Sequence, residues 1–230
     1  MIKIIKGNIF TTNCQTIVNT INCVGVMGAG IAYECRLRYP AMYERYVELC
    51  KEKKLNIGML WIYKSDEKWV MNFPTKYHWK YESKEEYLEK GLQKFLESYK
   101  EKGITSIAFP LLGASNGGIP ENISLNIMKR YLEQCEIDVE IYHYDPFASD
   151  NLYERFKELW NKIPENELAK KSGLRIDFVR KVKTALENEE IKTLSRLLTV
   201  KGIGDVTLEK SFQFINNYRA NEQSKLNFRS

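Results

Sequence analysis

The chain is poor in the residues from which metal centres and disulfide scaffolds are built. Its 230 residues include two histidines, His78 and His143, and five cysteines, Cys14, Cys23, Cys35, Cys50 and Cys135. The cysteines are odd in number and scattered, and no C-x-x-C pair occurs. A zinc site or a disulfide framework is therefore not expected, and a reducing cytoplasm is the natural home. No apolar run approaches the roughly 18 residues that a membrane span requires. The opening Met1-Ile2-Lys3-Ile4-Ile5 reads as a strand, not a signal peptide. G-x-G-x-x-G is missing, and no Gly-Lys-Ser/Thr closes a phosphate loop, which removes Rossmann and Walker chemistry. A soluble, monomeric cytoplasmic protein with no membrane partner, metal or resident cofactor is the expectation.

Excess charge is also slight, but it is unevenly placed. The net charge is +5, with 19 Lys and Arg against 18 Asp and Glu in residues 1–147, and 16 against 12 in residues 148–230. The basic surplus thus sits in the shorter C-terminal part. At 43% hydrophobic residues the length suits one full-size domain, 1–147, and a smaller one, 148–230.

What is present is a strand, a glycine loop and a helix: Asn19-Thr20-Ile21-Asn22-Cys23-Val24-Gly25-Val26-Met27-Gly28-Ala29-Gly30-Ile31. The β-branched run 16–19 leads in, and an apolar helical pattern continues through Leu37. Glycines let backbone amides approach a ligand, and the following helix N-terminus favours phosphate, so a diphosphate ligand is expected here. The alternative is a tight turn with glycines for helix packing. Asn19 and Asn22 weigh towards a ligand, because amide side chains at a strand end can hold ribose hydroxyls.

Further strands are expected over 2–5, 58–63, 68–73, 106–110 and 139–143. Helices are expected from Ile31 to before Pro40, over 41–50, over 85–99 and from Pro120 to Cys135. The alternation argues an α/β sandwich with a largely buried sheet. A second glycine loop, Leu112-Gly113-Ala114-Ser115-Asn116-Gly117-Gly118, also follows a strand. Two such loops can converge at the carboxyl ends of neighbouring strands, where α/β folds bind ligands. Between them in sequence lies Asn72-Phe73-Pro74-Thr75-Lys76-Tyr77-His78-Trp79, which could bring Lys76 and His78 to the ligand. The plainer alternative is a solvated lysine and a packing tryptophan.

Together with Gly7-Asn8-Ile9, these segments resemble a macrodomain, and within that superfamily the DarG type, the DNA ADP-ribosyl glycohydrolases that act as antitoxins to a DNA-modifying ADP-ribosyltransferase. The resemblance covers residues 1 to about 147. It implies a three-layer α/β/α sandwich with a mixed sheet, followed here by a small all-α domain. It further implies that Val24, Gly25, Val26, Met27, Gly28 and Gly30 wrap the diphosphate and distal ribose, with Asn19 and Asn22 beside them. Leu112, Gly113, Ala114, Ser115, Asn116, Gly117 and Gly118 would cover the other side. Asn8 and Ile9 would meet the adenine, and Phe147 would stack on it. Thr75 and His78 would flank Lys76, which matches the family's catalytic lysine, with Asn22 at the reacting ribose. Such a lysine can act as nucleophile at the anomeric carbon or as general acid to the leaving base, and sequence leaves both open.

One departure stands out. DarG-type enzymes usually read Gly-Gly-Leu-Asp-Trp after the second loop, whereas this chain reads Gly117-Gly118-Ile119-Pro120-Glu121. The aspartate is missing, with Glu121 as a candidate substitute one position on. Ala114-Ser115 also replaces the usual Cys-Gly. The partners implied are ADP-ribose or ADP-ribosylated DNA, and a cognate ADP-ribosyltransferase toxin. The alternatives are a non-catalytic reader of ADP-ribose or a nucleotide signal, and a hydrolase of protein-linked or free ADP-ribose derivatives.

The rest of the chain reads as helical. Residues 151–162 carry Leu152, Tyr153, Phe156, Leu159 and Trp160 on one face, expected to pack on the first domain. Residues 167–180 have the cadence of a helix-turn-helix with Gly173 in the turn. Lys201-Gly202-Ile203-Gly204 between helical runs resembles a helix-hairpin-helix that holds a DNA phosphate through Lys201 and the amides of Gly202 and Gly204; the alternative is an ordinary helical hairpin. The polar tail 220–230 is expected to fray.

Overall fold

The computed structural model describes residues 1–227, with side chains to Ala220. The chain divides into two compact units, Met1–Tyr144 and Asp145–Ser230. The first contains, in order, β1 (Ile2–Gly7), β2 (Thr16–Asn22), α1 (Gly30–Arg38), α2 (Pro40–Lys51), β3 (Trp61–Lys64), β4 (Trp69–Lys76), α3 (Glu85–Ser98), β5 (Ser106–Pro110), α4 (Glu121–Leu132) and β6 (Asp138–Tyr144).

The strands form one sheet in the order β1-β6-β5-β2-β4-β3. Every neighbouring pair is parallel except β3 with β4, which is an antiparallel hairpin. Successive side chains alternate between faces, and each face is covered by helices. Val18, Met71, Phe73, Ile107, Phe109 and Ile141 pack on Leu88, Leu92 and Phe95 of α3 and Met128 of α4. Ile17, Ile21, Val70 and Ala108 pack on Cys35 of α1 and Met42 and Tyr46 of α2. These are the three layers of an α/β/α sandwich with a mixed sheet.

Several boundaries differ from the sequence expectation. Pro40 forces Tyr39 out of the helical region (φ −130°, ψ 69°) and itself opens α2. The strand expected from Gly58 begins only at Trp61, because Gly58 turns with φ +82° and Met59 N donates to Asn56 O (3.0 Å). Pro120 caps α4 from outside, and the helix stops at Leu132, three residues short of Cys135.

The second unit is helical, with no strand among its described residues: α5 (Asn151–Lys162), α6 (Glu165–Ser172), α7 (Ile176–Leu186), a 3-10 turn (Leu194–Thr199) and α8 (Asp205–Asn227). The apolar stripe of α5, expected to cover the first domain, builds this unit's own core. Phe156 stacks on Trp160 at 4.5 Å, Phe214 of α8 meets Trp160 edge-on at 5.2 Å, and Trp160 Nε1 donates to Val179 O (3.4 Å). Gly173 ends α6 in the left-handed region (φ +67°). The 220–230 tail expected to fray is helical to Asn227; its last three residues lie outside the described ones.

Candidate functional site

Strands β5, β2 and β4 are adjacent and parallel, so the loops leaving their carboxyl ends open on one edge of the sheet. The register between β2 and β4 shifts at Ile21/Asn22, and this irregularity sets Asn22 directly opposite Lys76. Bulges of this kind re-aim side chains, and here the shift sets the two polar residues side by side at the strand ends.

Asn22 is 6% exposed and its amide organises the first glycine loop. Its Oδ1 accepts from Val24 N (2.9 Å) and Tyr46 Oη (3.0 Å), and its Nδ2 donates to Val26 O (2.5 Å). The Asn22 side chain, expected to face the reacting ribose, holds the loop from within. Gly25, at φ +82°, lets the loop turn against Val47 and Cys50 of α2, and Gly30, at φ +57°, opens α1. Val24 and Val26 point outwards, while Met27 is buried. Asn19 is fully buried, donates to Asn72 Oδ1 (2.9 Å) and lies against Met27 Sδ, so it supports the loop from below and does not reach the cleft.

Lys76 ends β4, half-buried, and its Nζ donates to the Asn116 carbonyl of the second loop. Cys23 N donates to Tyr77 O (3.1 Å), which ties the segment after Lys76 to the first loop. Burial, with Cys50 nearby, pushes the Cys23 thiol up to about 11, so it stays protonated at neutral pH. In the second loop Gly113 and Gly118 have φ of +67° and +82°, and Ser115 takes φ +48°. A Cβ on Gly30 would stand 3.0 Å from Asn116 Nδ2. The two glycine loops therefore meet, with Lys76 between them.

The other expected contacts differ in exposure. Leu112 is fully buried, and its carbonyl accepts from Ser124 Oγ (2.6 Å), which anchors the loop. Asn8 Oδ1, expected to meet adenine, accepts from Phe10 N (3.0 Å) as the cap of the 3-10 turn Ile9–Thr11, and Ile9 and Thr75 are buried. Ala114, Ser115, Asn116 and Gly118 are at least partly exposed, whereas Gly117 is buried under Ser83. His78 is half-buried, stacked on Trp79 at 5.6 Å. Phe147 belongs to the second unit, where the Arg196 guanidinium lies over its ring at 5.0 Å.

Glu121 is the candidate substitute for the missing aspartate. Its Oε2 lies 3.3 Å from His143 Nδ1, turned to β6, while the aspartate's own position is Pro120. Three residues escaped the sequence reading. Tyr46 is buried, with its phenol pushed upward by that burial, and it clamps Asn22. Ser83 N donates to Gly117 O (2.8 Å), and Glu82 lays its carboxyl group along Gly118. The helical spacing of Tyr46 signals only core, and nothing in a single sequence marks Ser83 or Glu82.

In the second unit the hairpin's first arm is the 3-10 turn, not an α-helix, and Gly204 precedes α8 with open space around it. Gly202, at φ +86°, has Lys181 Nζ beside it, and Lys201 is exposed. Among the described residues no cluster of three or more His, Cys, Asp or Glu could hold a metal ion, and no helix is long and apolar enough to cross a membrane.

Residues 18–128 match the Macro domain family. The macrodomain of Thermus aquaticus DarG is 35% identical with a TM-score of 0.59, over 62% of this chain and 98% of that one. The chain belongs to this family. The DarTG protein of Thermosipho africanus, solved in complex with ADP-ribose, is 35% identical with a TM-score of 0.60, over 63% of this chain and 41% of that one. In sequence the macrodomain is 36% identical to the DNA ADP-ribosyl glycohydrolase of T. aquaticus over 150 residues, which is 64% of this chain and 41% of the relative. It is 34% identical to a DNA ADP-ribosyl transferase–DNA ADP-ribosyl glycohydrolase fusion protein of T. africanus, over 61% of this chain and 41% of the relative. The chain thus spans about four tenths of the length of the curated relatives it matches.

Proposed function

We propose that the protein binds ADP-ribose between its two glycine loops and hydrolyses the N-glycosidic bond that joins it to a DNA base. The observation that carries this reading is the placement of Lys76 at the carboxyl end of β4, opposite Asn22 and hydrogen-bonded to the second loop. Backbone amides of both loops and the α1 N-terminus are suited to the diphosphate. The exposed loop residues Val24, Val26, Gly28, Ser115 and Asn116 are the ones that would touch it, while Asn22, Asn19 and Leu112 shape the loops from within.

At the anomeric carbon, breaking the bond leaves an oxocarbenium-like centre and a base that must regain a proton. As general acid, Lys76 Nζ gives that proton and water completes the sugar; as nucleophile, neutral Nζ bonds to the carbon, the base leaves, and water later displaces the amine. An enzyme–sugar adduct seen by intact mass during turnover separates the two. Support for DNA as the substrate comes from the relatives, which are DNA ADP-ribosyl glycohydrolases, and support for a cognate transferase from the fused T. africanus relative. An antitoxin role, a monomeric state and a cytoplasmic setting complete the proposal. Residues 148–230 are proposed to grip the DNA backbone at Lys201, Gly202 and Gly204, in which case their removal lowers both DNA affinity and its salt slope.

A second reading, an ADP-ribose reader without turnover, is favoured by one observation: Pro120 occupies the aspartate's position and Glu121 is turned to His143. The deciding measurement is release of ADP-ribose from ADP-ribosylated single-stranded DNA by the wild type and Lys76→Ala, with ADP-ribose binding followed by calorimetry. Turnover that vanishes in Lys76→Ala while binding persists is the expected result. Binding without turnover by the wild type would leave the reader.

A further inference from the structure

Directly after Lys76 the chain exposes a run of rings that the fold does not use for its core. Tyr77, Trp79 and Tyr81 are 57%, 49% and 69% exposed. Such rings are costly to leave in water one beside another, and a contiguous exposed aromatic patch marks an interaction site. The run is nevertheless ordered. His78 stacks on Trp79 at 5.6 Å and meets Tyr81 at 5.5 Å, and Tyr81 N donates to His78 O (3.2 Å). Both ends are fastened to the cleft: Cys23 N to Tyr77 O from the first glycine loop, and Ser83 N to Gly117 O of the second. The segment is therefore a rim of the cleft, continuous with Lys76.

Among and beside the rings the exposed charges are Lys80, Glu82 and Lys84, so the lysines outnumber the carboxylate. Lys80 Nζ lies over the Trp79 ring at 5.2 Å and makes no ion pair among the described residues. Lys84 stands over Tyr87 at 5.6 Å and pairs loosely with Glu86 at 3.9 Å, and the Glu82 carboxyl is turned along Gly118. Exposed rings interleaved with lysines form a stacking platform for unpaired bases whose phosphates the ammonium groups can meet. An acidic or apolar protein partner would not call for both features in alternation.

Resting on the glycohydrolase reading, we propose that Trp79 and Tyr81 stack the bases flanking the ADP-ribosylated one in single-stranded DNA, with Lys80 on the adjoining phosphate. This makes the rim the element that selects single-stranded nucleic acid over a modified protein or a free nucleotide. Trp79→Ala and Tyr81→Ala are tested on two substrates, an ADP-ribosylated nucleoside and an ADP-ribosylated single-stranded decanucleotide. Each variant is expected to raise KM for the oligonucleotide about tenfold with kcat little changed, and to leave the nucleoside reaction within about twofold. Equal losses on both substrates, or none on the oligonucleotide, would overturn the platform. So would an equal loss on an ADP-ribosylated peptide, or a parallel fall in ADP-ribose affinity by calorimetry.

Binding of an unmodified single-stranded oligonucleotide by fluorescence anisotropy decides the matter without turnover. Trp79→Ala should weaken it about tenfold at unchanged salt slope, whereas Lys80→Ala should lower the slope by about 0.7. If the wild type released ADP-ribose from neither substrate, the glycohydrolase reading would fail, while anisotropy would still support or overturn the platform.

Discussion

Replacing Asn22 separates a residue that holds the binding loop from one that touches the ligand. In Asn22→Ala three strong hydrogen bonds are lost, to Val24 N, Val26 O and Tyr46 Oη. Tyr46 keeps the Asn22 carbonyl as acceptor at 2.9 Å, and Val24 and Val26 are exposed enough to turn to water. No buried group is orphaned, so the loss is about 1 kcal/mol for each of two net bonds, about 2 kcal/mol in all. If that energy orders the loop for ADP-ribose, the dissociation constant rises about thirtyfold, since 1.4 kcal/mol is a factor of ten. The isosteric Asn22→Asp should be worse than the truncation. It keeps the acceptor side but sets a carboxylate oxygen 2.5 Å from the Val26 carbonyl, acceptor against acceptor, in a site only 6% exposed. Calorimetry with ADP-ribose and thermal melting of both variants make the test. Wild-type affinity in Asn22→Ala, or an aspartate variant better than the alanine one, would refute the loop-holding role.

Ser115→Gly should stabilise the fold by about 0.5–1 kcal/mol in a melting experiment, because φ +48° is strained for serine and free for glycine. Gly91→Ala should destabilise it by about 2 kcal/mol despite the better helix propensity, since the added Cβ would stand 2.1 Å from the Phe73 ring. The compensating Phe73→Leu should recover part of the loss in the double variant. On the proposed reading, Pro120→Asp supplies an acid at the α4 cap and should raise kcat of ADP-ribose release by about a hundredfold at most, with ADP-ribose affinity unchanged; no gain would mean that an acid at this position has no part in the reaction.

The sheet was legible because burial on both faces writes continuous apolar strands. Val18, Met71 and Phe109 face one helical layer, and Ile17, Val70 and Ala108 the other. Periodicity told equally well that α5 has a buried face, but not against what. Its stripe closes on Phe214, more than fifty residues on, and a pairing over that separation leaves no local trace. The two glycine loops and Lys76 were legible as residue types at strand ends. The direction of their side chains was not: the register shift that turns Asn22 inward, and the Ser83 contact that seats Gly117, are tertiary facts.

The same distinction bears on the chemistry. A lysine at a strand end is cheap to propose from sequence and carries weight only through what surrounds it. Here its Nζ meets a loop carbonyl, not a carboxylate, and Glu121 lies against His143. A carbonyl acceptor gives Lys76 no paired carboxylate among the described residues, an arrangement that on the proposed reading favours a diphosphate and a leaving base that takes up a proton. Because the acceptor is Asn116 in the second loop, any movement of that loop on ligand binding also releases Nζ. If the protein hydrolyses ADP-ribosylated DNA as proposed, that hydrogen bond links binding to turnover, and substitutions that restrain the second loop should change turnover more than affinity.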